Sequence, residues 1–158
     1  EDGIRDIHCS LVGSEMCIRD RDSTASEKPS PDKWSKKEIL GHLIDSAGNN
    51  HQKFVRTMAQ EHFEFVAYEQ SHWVESQNYI DASWEDLVGL WQAYNLHLAH
   101  IIESVRPEFL SNTITIDGKG PFTLEFIMND YGEHLVHHLK QIFPDADLES
   151  NFENVYNA

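Results

Sequence analysis

Past Cys17 the chain has no cysteine. Its two cysteines, Cys9 and Cys17, both lie near the start, so the main body holds neither a disulfide scaffold nor a Cys-type zinc finger. Basic residues are scarce as well: 12 Lys and Arg stand against 27 Asp and Glu, a formal net charge of -15. Such a surface repels phosphate, which argues against nucleic acid and anionic membrane as partners. No apolar run approaches the roughly 20 residues of a membrane-spanning helix, and Glu1 to Ser10 is too charged for a secretory signal. Also missing are a His-Glu-x-x-His, a Gly-x-Ser-x-Gly elbow and a phosphate-binding glycine loop; Asp117-Gly-Lys-Gly120 lacks the spacing for one. Paired Glu-x-x-His motifs of the di-iron type fail too, since Glu69-x-x-His72 stands alone in a linker. What is present is enough apolar material, 40% of 158 residues, for the core of one acidic cytoplasmic domain.

The texture of the chain changes near Pro29. Residues 1–28 mix charges, glycines and cysteines without a sustained helical stripe. The stretch from Ser10 to Arg21 resembles a translated library adapter, so residues 1 to about 21 read as foreign sequence and the chain as a fragment. Residues 29–145 form the expected domain, and 146–158 an acidic tail. Three amphipathic helices are expected within the domain. The first opens after Trp34 with a capping box of Ser35 and Glu38, and carries Leu40, Leu43, Ile44, Ala47, Phe54, Val55 and Met58 on one face. The second opens at Ser83 and buries a stripe of Leu87, Leu90, Trp91, Tyr94, Leu98, Ile101, Ile102 and Val105 before Pro107 ends it. The third runs from about Thr123 to Phe143 with Leu124, Ile127, Tyr131, Leu135, Leu139 and Ile142 inward. Thr113 to Ile116 and the following Asp-Gly read as a short strand and turn. The linker from 61 to 82 is aromatic and glycine-free, and is expected to pack over the bundle. Helices of this length call for a four-helix bundle, with its first helix missing or replaced by the leader.

Ten histidines are the unusual feature. On the third helix, His134, His137 and His138 allow two pairings across one turn. His134 and His138 align with Ile127, Tyr131 and Ile142, whereas His137 aligns with Asp130 and Glu133 on the polar side, so the metal pair is His134 and His138. His42 flanks the core stripe of the first helix and would complete a three-imidazole set with an open position, suited to Zn, Ni or Fe. A lone His-x-x-x-His is also often two surface polars, and a lone core-edge histidine is often only hydrogen-bonded. His51 reads as structural, and His97 and His100 as solvated. Asp45 and Glu133 are candidates for orienting the imidazoles, or simply solvated carboxylates.

Trp34-Ser-Lys-Lys-Glu-Ile-Leu-Gly-His42-Leu-Ile-Asp-Ser-Ala47 and His134-x-x-x-His138-Leu-Lys-Gln-Ile142 resemble the DinB/YfiT-like metalloprotein superfamily. The resemblance implies an all-α, often dimeric four-helix bundle that holds one divalent metal through His42, His134 and His138. The family's first helix would precede Trp34, where this chain has its leader. Many members are described as metal-dependent hydrolases, and others transfer low-molecular-weight thiols. The expected activity is therefore metal-dependent thiol transfer to, or hydrolysis of, a small electrophile, with specificity set by the linker 61–82 and the turn 113–120. The alternatives are a non-catalytic bundle held together by metal, or an interaction module whose histidines are incidental.

Overall fold

A computed structural model describes residues 22–155. In chain order it contains α1 (Asp22–Ala25), α2 (Lys36–Met58), β1 (His62–Phe65), α3 (Gln70–Gln77), a 3-10 turn (Tyr79–Asp81), α4 (Trp84–Ser104), a second 3-10 turn (Pro107–Phe109), β2 (Thr113–Ile116), β3 (Lys119–Thr123) and α5 (Leu124–Ile142). The expectation about the bundle's first helix falls largely on residues outside the described set.

Three long helices carry the described core, with α2 between α4 and α5. The α2 start is the expected capping box: Glu38 N–H donates to Ser35 Oγ at 3.3 Å and Ser35 N–H to Glu38 Oε2 at 2.8 Å. Every residue from Lys37 to Ala47 is buried, so this half of α2 is enclosed on all sides rather than along one face. Its polar residues must therefore find partners inside the protein. Lys37 pairs with Asp22 at 3.0 Å and Glu38 with Lys28 at 2.7 Å. These contacts tie residues 22–28, part of the stretch read as leader, to the bundle. By contrast α4 and α5 bury single stripes. The α5 stripe matches expectation in full. The α4 stripe is rotated: Leu90 is 52% exposed, and Asn95 takes an inward place. Asn95 is tolerated there because its amide donates to Trp91 O at 2.8 Å and accepts from Tyr131 Oη at 2.6 Å.

The small sheet adds to what the sequence suggested. Its order is β1-β2-β3, with β1 parallel to β2 and β2 antiparallel to β3. The linker thus supplies a strand (His62 pairs with Thr113, Phe65 with Ile116) and a helix, and packs over α2 as expected. Asp117 and Gly118 both have positive φ, 48° and 78°, as a tight Asp-Gly hairpin turn requires. Ala67 N–H donates to Asp117 Oδ1 at 3.1 Å, fixing the chain after β1 against that turn.

Candidate metal centre

Within the buried half of α2, one short run of sequence sets up the centre. Gly41 leaves room for the Tyr79 ring, since a Cβ there would fall inside it. Tyr79 Oη then donates to Asp45 Oδ1 at 2.7 Å, one turn along, and Gln77 Nε2 donates to the same oxygen at 2.8 Å. Asp45 is thus engaged with the linker, and its burial raises its pKa above the usual carboxylate value against the opposing pull of these two hydrogen bonds. Its other oxygen, Oδ2, is buried without a hydrogen-bond partner among the described residues. His42, held between these two contacts and packed against Trp34 at 5.3 Å between rings, faces α5.

There it meets His134 and His138. His42 Nε2 and His134 Nε2 are 3.3 Å apart, and one ring nitrogen from each of the three histidines lies within 4.8 Å of the others. Two Zn–N bonds of about 2.0–2.1 Å at a tetrahedral angle put their nitrogens about 3.3–3.4 Å apart. The His42–His134 spacing is therefore one that two donors on a single ion would have. Hydrogen bonds at the far ring nitrogens fit the same tautomers. His134 Nδ1 lies 3.4 Å from Ser46 Oγ, and His138 Nδ1 lies 3.1 Å from Gln141 Oε1. With Nδ1–H donating in each case, Nε2 keeps its lone pair. Nδ1 of His42 is buried and has no hydrogen-bond partner among the described residues.

The protonation states suit a cation as well. Burial brings the His42 imidazolium pKa down to about 3, with His138 adding to the effect. Burial also lowers His138, to about 4, against the opposing Gln141 hydrogen bond, and holds His134 well below the ordinary value. All three are neutral near pH 7, the form that binds metal. The donor set therefore fits a divalent ion, and the three residues singled out in the sequence are brought together.

Neither carboxylate considered for orienting the rings has a hydrogen bond to one. Asp45 holds Tyr79 and Gln77, and Glu133 Oε2 accepts from the backbone N–H of Asn151 at 2.7 Å. Ser46 and Gln141 stand beside the imidazoles instead, and Asn50 donates to Ser46 Oγ at 3.2 Å. Their signal was spacing, because Ser46 is one turn after His42 and Gln141 three residues after His138. His137, on the polar side of the helix by sequence, is half-buried, with Gln141 Nε2 donating to its Nε2 at 3.0 Å and Phe152 lying 5.3 Å from its ring. His51 is held by Tyr94 Oη at 3.2 Å, whereas His97 and His100 are exposed.

His134 and His138 open onto a cavity of about 550 Å³, a size suited to a small molecule. Phe65 and Tyr68 from the linker, Asp117 from the turn, Lys53 from α2 and Phe152 from the C-terminal segment contribute walls. Phe152 lies 5.2 Å from the His134 ring, so the tail reaches the centre. Burial lowers the Lys53 pKa to about 8, while Asp130 acts in the opposite direction. Among the described residues, no helix is long and apolar enough to cross a membrane.

A family model described as the DinB superfamily matches residues 21–142. No curated protein matches the chain. Among solved structures, one is similar with a TM-score of 0.81 and 19% identity over 90% of this chain and 83% of that one. It is YfiT from Bacillus subtilis, described as a probable metal-dependent hydrolase with an unusual four-helix bundle topology. At that identity the likeness shows the fold, a four-helix bundle.

Proposed function

The chain belongs to the DinB superfamily, and from that premise we propose that it is a metalloenzyme acting on a small electrophile, with His42, His134 and His138 holding one Zn, Ni or Fe ion. The observation that carries this reading is the convergence of three neutral imidazoles from two helices, with the closest nitrogens 3.3 Å apart, beside an open cavity. A bound ion would supply a Lewis acid that lowers the pKa of a thiol or water, giving a nucleophile at neutral pH. The chain's own groups do the rest. Ser46 and Gln141 hold the His134 and His138 rings in register, and Phe65, Tyr68 and Phe152, which line the cavity, receive the substrate's apolar part.

A purely structural metal is the alternative, and it calls for a fourth protein ligand to close the coordination sphere. Among the described residues the ligating group contains three histidines and no fourth member, which favours a position open to substrate. The test is a screen of metal-loaded protein for hydrolysis of activated esters and for thiol addition to model electrophiles. The expected result is metal-dependent turnover that falls about 100-fold or more in His134→Ala. Turnover undiminished in that variant would overturn the mechanism.

A further inference from the structure

His42, Ser46, Asn50 and Lys53 follow one another on α2 at intervals of four, four and three residues, which keeps them on one face of the helix. At 1.5 Å per residue, Lys53 stands about 10 Å along the axis from Ser46. On α5, Asp130 precedes His134 by one turn, and its charge bears on Lys53. The cavity therefore has an imidazole end and a charged end, joined by aromatic walls. Lys53 is the one Lys or Arg among the described residues that line it. In a chain of net charge -15, an ammonium drawn into a cavity sacrifices hydration. Its position 5.3 Å over the Phe65 ring holds it there. Three neutral imidazoles offset none of a divalent ion's charge, so the imidazole end favours an anion once an ion is bound, while at the other end Lys53 sets one positive charge among the carboxylates of Asp117 and Asp130.

We propose that Lys53 is a specificity residue that anchors the carboxylate of a small carboxylic acid, whose carbon skeleton lies against Phe65, Tyr68 and Phe152 and whose other end reaches His134 and His138. A phosphate fits less well, because Asp117 and Asp130 also line the cavity and would repel a dianion facing a single ammonium. The proposal rests on the metal-dependent reading only in taking the imidazole end as the reacting end. The anchor itself does not depend on metal.

The experiment is calorimetric titration with 3-phenylpropionate and with 3-phenylpropionamide, which differ in charge at one end. Each is run on chelator-treated protein and on zinc-loaded protein. The acid is expected to bind about fivefold or more tightly than the amide in both preparations. In the chelator-treated protein Lys53→Gln, or Lys53→Met should the first variant not fold, removes the difference, and Lys53→Arg keeps it. Equal affinity for acid and amide in the parent protein, or a preference for the acid that survives in the neutral variants after chelator treatment, overturns the proposal. Failure of the metal reading shows separately, as a chain that takes up no zinc yet keeps a Lys53-dependent preference for the acid.

Discussion

His42 and Asp45 lie within one turn of α2 and are both buried, yet they serve opposite neighbours: the imidazole faces α5 and the carboxylate faces the linker. What unites the three clustered histidines is neutrality, and it has a consequence for the metal-free protein. Their pKa values lie below the ordinary 6.5, at about 3 for His42 and about 4 for His138, chiefly through burial; His51 shifts the same way. Below pH 6.5 the unfolded chain therefore binds protons that the folded chain refuses, so stability falls with pH in that window and gains nothing from these groups above it. Urea midpoints of chelator-treated protein should decline steadily from pH 7 to 5. A flat profile down to pH 5 would mean that the rings are not buried as neutral groups.

In α2, the buried run from Lys37 to Ala47 owes its place to Gly41 as much as to its leucines. Gly41→Ala would gain about 1 kcal/mol of helix propensity, but its methyl would occupy the Tyr79 ring, and such overpacking costs typically about 1–3 kcal/mol. Displacing the ring also breaks the Tyr79–Asp45 hydrogen bond, so the net expectation is destabilisation by about 1–3 kcal/mol. Gly89, exposed on α4 with nothing near its absent Cβ, is the control: Gly89→Ala should stabilise by up to about 1 kcal/mol. Thermal melts of both variants read the difference directly, and equal shifts would remove Gly41 from its role. The same helices show what a single sequence discloses. The α5 stripe was legible because one face is buried and the period of 3.6 survives. On α2 the period says little about Lys37 or Asp45, because α1, α3 and the 3-10 turn enclose it from the other side. β1 was not legible: four residues, His62 to Phe65, pair with a strand some fifty positions away, and no local signal reports that partner. Leu90 misled because Asn95, polar by type, takes an inward place through its bond to Tyr131.

Assembly of the centre needs the fold more than any one element, since α2 supplies one imidazole, α5 two, the linker and sheet a wall, and the C-terminal segment Phe152. The histidine spacing and the family resemblance named the three residues in advance, whereas the cavity beside them could not be read from a tail that looked merely acidic. A metal ion would also join α2 to α5, so chelation should loosen the bundle as well as empty it. The most direct measurement is a count of metal per chain by plasma mass spectrometry, on protein purified without a histidine tag or chelator. About one Zn, Ni or Fe per chain is expected, lost in His134→Ala and in His138→Ala while both variants remain helical by circular dichroism. A chain that holds no divalent metal even after incubation with each ion, or one whose metal survives both substitutions, would contradict the assignment of this site.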